Sequence, residues 1–333
     1  MPQTAYGDIS PRTAAFAAKD LLKRGLPYLI LEKFGQAKPL PTRSSKTVTF
    51  RRYNALDKTP NALTEGVTPA SKQLTKTDVS ATVVQYGDHV EITDVVLDTH
   101  EDPILQEGID VLGEQAAQMI ETVRYNVIKA GTNVFFANGV ARNAVNTTIS
   151  LSLQRKITRA LKRQNAKMIT KVVRSTPSYG TEPVAASFIA FCHTDAEADI
   201  QDMTGFVPIE KYGQMTPYEG EVGKVGNVRY ISSTIFEPFA DAGGLKAGGG
   251  YDTISTTGVN SDVYPIIYIG RDAYGIVPLK GKTAITPMVV NPKPSDSDPL
   301  AQRGHIAWKS MQTAVILNDL WMVRAEMAIK ENP

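Results

Sequence analysis

The sequence predicts a mixed α+β fold, on three observations. Residues 102–131 form the longest run of unbroken helical periodicity. Period-two alternation appears before that run, at residues 46–54 and 78–98, and short apolar runs follow it from residue 187 onward. Gly and Pro, 25 and 20 of 333 residues, cut the remainder into short strands and turns.

Composition bounds the function. At 42% hydrophobic and 21% charged, the chain is long enough for two domains with real cores. A net charge of +2 excludes a whole-molecule clamp on a polyanion, so only local charge can matter. Cys192 is the single cysteine, which rules out an internal disulfide and a zinc-finger set and fits a reducing cytoplasm. No basic segment leads into an apolar signal region and no window approaches twenty apolar residues, so neither secretion nor a membrane span is expected.

Taken in order, residues 14–23 predict a short helix with Ala15, Ala18, Leu21 and Leu22 clustered. Gly25, Pro27, Gly35, Pro39 and Pro41 then break the chain, so residues 25–45 read as an extended arm. Its bed is either a neighbouring subunit or its own chain. Val48 and Phe50 alternate with polar residues as in a half-buried strand, residues 55–77 hold few core anchors, and alternation returns in 78–98, with Gly87 a predicted bulge or bend. Residues 46–98 thus read as a two-stranded ribbon with a polar tip, which needs another molecule to rest on. In 102–131, Leu105, Ile109, Leu112, Ala116, Met119, Val123 and Val127 make one apolar stripe. Asp102 is the expected N-cap, Pro103 fits the first turn and Gly131 the C-terminal stop.

Residues 152–164 predict a second amphipathic helix with Leu153, Ile157, Ala160 and Leu161 inward. Its outer face and continuation carry Arg155, Lys156, Arg159, Lys162, Arg163, Lys167, Lys171 and Arg174, with no acid between them. Contact with a polyanion or an acidic partner is one reading; a solvated helix face is the other. Residues 187–192 (SFIAFC) read as a buried strand, after which Thr194 is the expected cap of a helix bearing Asp195, Glu197 and Asp199. Residues 205–263 are rich in turns, with a flexible loop at 243–250; strands follow at 264–270, 275–279 and 284–290. Residues 305–329 read as two strands meeting near Asn318 and Asp319, returning to pack beside the long helix.

Catalytic patterns do not assemble. Cys192 and His193 are adjacent, whereas a nucleophile normally meets its base through the fold; a hydrolase using this pair is the rival reading. His89, His100 and His305 are scattered without ligand spacing. Gly220, Gly223 and Gly226 lack the spacing of a phosphate cradle, and Asp296 and Asp298 lack the rest of a calcium loop. No catalytic, cofactor or metal residue is assigned. What survives is an arm, a ribbon, a rod and a glycine-rich domain, the profile of an assembly protein.

Six stretches carry a resemblance: FGQAKPLPTRSSKTVTFRRYN, LTEGVTPA, TVVQYGDHVEITDVVLDTHEDP, LGEQAAQMIETVRYNVIKAGTNV, YIGRDAYGIVPL and DPLAQRGHIAWKSMQTAVILNDLWMVRAE. In this order, over nearly the whole chain, they resemble the major capsid proteins of the coliphage N-four type. The resemblance implies the tailed-phage, Hong Kong 97-type fold: arm at 1–45, extended loop at 46–98, peripheral domain with spine helix at 99–182, axial domain at 183–263, and return strands at 264–333. It implies a virion shell protein, not an enzyme, assembled in the host cytoplasm as pentamers and hexamers around double-stranded DNA, without cofactor or membrane. A portal and a separate scaffolding or decoration protein are the implied partners; an encapsulin-like compartment is the alternative. Some relatives crosslink through a lysine of the extended loop, where Lys58, Lys72 and Lys76 lie, and the basic segment is the implied inner wall or a contact for the acidic residues 195–202 of a neighbour.

Overall fold

A computed structural model describes residues 29–40, 45–95, 104–173, 181–213, 216–247, 252–278, 286–290, 292, 294 and 298–332. The expected helix at 14–23, the caps Asp102 and Pro103, and Arg174 and Asp296 lie outside the described residues.

Two sheets form the body. The larger has eight strands in the order β5 (Val134–Phe136), β15 (Met322–Met327), β11 (Tyr264–Ile269), β7 (Thr181–Cys192), β10 (Val228–Ser232), β9 (Glu221–Val225) and β8 (Phe206–Pro208), with β6 (Ile169–Val173) also on β7. Its side chains divide by parity. Phe188, Ala190, Tyr230, Ile266, Tyr268 and Val323 pack on one face, against Leu153, Ile157 and Leu161 of helix α2 (Leu151–Arg163). Ile189, Phe191, Ile231, Ile267, Ile269 and Met322 fill the other, against Tyr125 and Ile128 of the long helix α1 (Ile104–Lys129). Both faces being covered, the central strands need apolar residues at every position, which is why SFIAFC and YPIIYI read as continuous runs. The same demand makes β10 buried at four of five positions.

The smaller sheet is centred on β14 (Arg303–Ile316), with β4 (Val84–Thr93) along one edge. Along the other lie β13 (Thr286–Val290) and β12 (Tyr274–Pro278), the latter extended by β1 (Gln36–Ala37). Ile109, Leu112, Ala116, Ala117 and Ile120 of α1 pack on Ile92, Ile306 and Trp308 of this sheet. The 26-residue α1, roughly 39 Å long at 1.5 Å per residue, therefore lies on the small sheet with its first half and on the large one with its second. β14 and β15 are consecutive in sequence yet belong to different sheets; Asn318 Oδ1 accepts from Leu320 N at the bend between them.

Several expectations are corrected. The stripe of α1 leaves Met119, Val123 and Val127 half-buried; Ala117, Ile120, Glu121, Arg124 and Ile128 point inward instead, because the buried face moves round the helix as α1 passes from the small sheet to the large one. Ala160 on α2 is likewise only half-buried. Gly87 is no bulge: β4 pairs with β14 over ten consecutive partners, and a Cβ at Gly87 would sit 2.7 Å from the Trp308 carbonyl oxygen. The ribbon is shorter than 46–98. It consists of β2 (Thr47–Tyr53) and β3 (Lys76–Thr82), and β4 leaves it for the small sheet. Phe50 seats its base, lying where Gly275 has no side chain.

Of the arm's two possible beds, the described part takes its own chain. Leu29, Ile30, Leu31 and Phe34 are buried, β1 pairs in parallel with β12, and Leu40 N donates to the Pro278 carbonyl at 2.9 Å.

Candidate functional site

The Cys192–His193 pair is not reactive. Cys192 is fully buried with Sγ 3.5 Å from the Ile231 carbonyl oxygen, and burial pushes its thiol far above the usual range. His193 Nδ1 accepts from Asp195 N at 3.2 Å. His193, not Thr194, thus caps the turn Thr194–Ala196, which leads into the short helix α3 (Glu197–Gln201). Among the described residues no three His, Cys, Asp or Glu side chains gather as a metal site, and no helix is long and apolar enough to cross a membrane.

The basic helix forms as its pattern dictates. Ser150 Oγ accepts from Leu153 N at 3.2 Å, and Gln154 Nε2 reaches the Val225 carbonyl at 2.7 Å, fixing α2 on the large sheet. This leaves Arg155, Lys156, Arg159, Lys162 and Arg163 exposed, with Lys167 and Lys171 exposed beyond the helix. Lys156 Nζ lies 5.3 Å over the Phe135 ring. The fold also brings an aromatic residue to the helix end, which the local sequence lacks: Trp321 Nε1 donates to the Gln164 carbonyl at 3.0 Å, and Arg52 of the ribbon lies 5.9 Å over its ring.

Three carboxylates of the acidic segment 195–202 are hydrogen bonded within the chain. Asp195 accepts from Tyr264 Oη at 2.8 Å, Asp199 from Lys330 N at 3.1 Å, and Asp202 from Lys330 Nζ at 3.2 Å. Of these carboxylates Asp199 is buried, whereas Asp195 and Asp202 stay exposed despite their bonds.

The ribbon tip is the opposite of a core. Every residue from 55 to 75 is exposed, including Leu56, Leu63, Val67 and Leu74; Leu63 is 76% exposed. Lys58 and Lys72 stand in this tip, Lys72 Nζ reaching the Asp57 carbonyl at 3.3 Å. Lys76 starts β3, 3.4 Å from Asp78. Hydrogen bonds from Arg51 to Asp78, at 2.8 and 3.1 Å, staple the two strands and hold the Asp78 carboxyl below its usual range. On the body, Val90 and Ile92 of β4 and Gly108, Val111 and Leu112 of α1 line an apolar groove of ≈ 860 Å³, rimmed by Asp88, Glu91 and Glu107.

A buried charge cluster that no sequence motif marks lies where the arm root meets α1: Glu121 and Arg124 of the helix and Glu32 of the turn Leu31–Lys33. The available signal was that Glu121 lies four residues beyond Ala117 and Arg124 four before Ile128, on the inward stripe.

A family model described as "Phage capsid protein" matches residues 76–324. No curated protein matches the chain in sequence. Among solved structures, the capsid of Ralstonia phage GP4 is similar over 90% of this chain and 88% of its own, with a TM-score of 0.68 at 13% identity. The capsid of cyanophage Pam1 is similar over 93% of each chain, with a TM-score of 0.64 at 12% identity. The mature capsid of bacteriophage PhiM1 is similar over 90% of this chain and 86% of its own, with a TM-score of 0.53 at 14% identity. At such identities the likeness establishes a shared α+β fold.

Proposed function

We infer, since this chain belongs to the phage capsid protein family, how its copies build the head shell as a major capsid protein. The shell is icosahedral, made of pentamers and hexamers, and encloses double-stranded DNA; the fold is the Hong Kong 97-type tile in its coliphage N-four-like form. Residues 1–45 serve as the arm, 46–98 as the extended loop with β4 as its root in the small sheet, and 99–182 as the peripheral domain with α1 as spine helix. Residues 183–263 form the axial domain and 264–333 return to complete both domains.

The observation that carries this reading is the contrast between a body with closed cores and a ribbon tip without one. A tip whose leucines and valines all face solvent gains by lying on a neighbour's apolar surface, and Lys58, Lys72 and Lys76 then lie at the contact between copies. Many such modest contacts add through multivalency while each remains reversible. The α2 face with Lys167 and Lys171 supplies a local cation surface for the inner wall. Its residues meet phosphates without base reading, and the chain's net charge of +2 keeps the rest of the wall from trapping DNA. A portal and a separate scaffolding or decoration protein complete the virion, with assembly in the host cytoplasm.

Electron microscopy of the purified full chain, alone and co-expressed with its phage scaffolding protein, tests this. Closed shells are the expected result. Shells filled with a protein cargo would favour an encapsulin-like compartment, and small soluble particles under both conditions would contradict the reading.

A further inference from the structure

The charge cluster under the arm root has one carboxylate too many. Glu121 is fully buried, Arg124 is 2% and Glu32 7% exposed. Glu121 Oε1 accepts from Ile30 N at 3.0 Å and Leu31 N at 2.7 Å, tying the start of the arm's turn to α1. Glu121 Oε2 accepts no hydrogen bond; Arg124 Nη1 lies 4.0 Å from it and is drawn instead to Glu32 Oε2, at 3.1 Å. Among the described residues the remaining titratable group against the cluster is Tyr274 of β12, whose Oη donates to the Leu31 carbonyl at 2.6 Å and brings no positive charge. Lys33, on the same turn, is turned away to Glu219. With all three ionised, two carboxylates face one guanidinium among the described residues, leaving one buried negative charge uncompensated there. Burial is far costlier for an unpaired charge than for a paired one.

We propose that Glu121, Arg124 and Glu32 form a proton-operated latch, in which one bound proton holds residues 29–34 on α1 and its loss loosens them. The latch goes beyond the shell-forming reading, and it is read on the unassembled chain, so its failure leaves that reading untouched. Desolvation, opposed by Arg124 and the two amides, lifts the Glu121 carboxyl to about 7. The docked root therefore binds a proton more tightly than the released one, whose Glu121 titrates near the ordinary value of about 4.3. Docking is firmest at and below that ordinary value, weakens as pH rises, and has lost the whole contribution once pH passes the docked value.

Hydrogen–deuterium exchange of the full, unassembled chain, normalised to intrinsic rates, reads the latch at the amides of Ile30 and Leu31. Between about pH 5.5 and 7.5 their protection is expected to fall roughly twentyfold. Glu121→Gln keeps an acceptor without the charge, and Glu32→Gln leaves a neutral Glu121–Arg124 pair, so protection in either variant should be independent of pH. If Glu121→Gln does not fold, Glu32→Gln alone decides. Protection that is constant with pH in the native chain, or an undiminished fall in a folded variant, overturns the proposal.

Discussion

The eight-stranded sheet and the ribbon tip are built from the same chain under opposite rules. In β11 all six residues are buried, whereas in residues 55–75 none is. The sheet satisfies its apolar surface internally, with a helix on each face. The tip has four large apolar side chains and no second layer to cover them. Fold stability resides in the body, and on the proposed reading association resides in the limb. Substitutions should separate the two.

The largest effect is expected at the buried pair Glu221–Arg229. Arg229 Nε and Nη2 donate to Glu221 at 2.6 and 2.5 Å, and the Tyr212 hydroxyl donates to the same carboxylate at 2.5 Å. Glu221→Ala strands a buried guanidinium and should cost about 3–5 kcal/mol, read by chemical denaturation of the unassembled chain. Ile157→Ala, under the large sheet and fully buried, should cost about 2–4 kcal/mol by the same measurement. A loss below ~1 kcal/mol at either site would mean that the body is not the seat of stability.

The limb should behave in the reverse way. Leu63→Ser with Leu74→Ser removes two exposed apolar groups and should change subunit stability by less than about 0.5 kcal/mol. The fraction assembled, measured by sedimentation, should nevertheless fall severalfold. Normal assembly would break the comparison. The smallest effect on folding is expected on α2, where Arg155→Gln, Arg159→Gln and Arg163→Gln alter only exposed positions. Melting should stay in place, while the slope of log affinity for duplex DNA against log salt should lose up to about three counterion equivalents.

The two regions were also legible to different degrees. The continuous run SFIAFC announced a buried strand, and the scarcity of core anchors in 55–77 announced a limb. The strand partners were not legible. Alternation in 84–93 fits a ribbon or a sheet equally well, and only β14, some two hundred residues on, decides between them. The basic face of α2 could be read from spacing, but Trp321 reaches Gln164 across 157 residues and gives no local sign. Glu121 and Arg124 were hidden for a physical reason: charge is normally a mark of exposure, and here the partners that make burial tolerable, Glu32 and two backbone amides of the arm, lie about ninety residues away. The arm's own-chain bed was undecided for the same reason, since those contacts are what define it.

The central claim is that the tip finds on neighbouring copies the cover it lacks at home. Hydrogen–deuterium exchange of residues 55–75 in unassembled subunits and in purified shells tests it most directly. Near-unprotected amides are expected in the subunit and strong protection in the shell. Equal exchange in both states would contradict it.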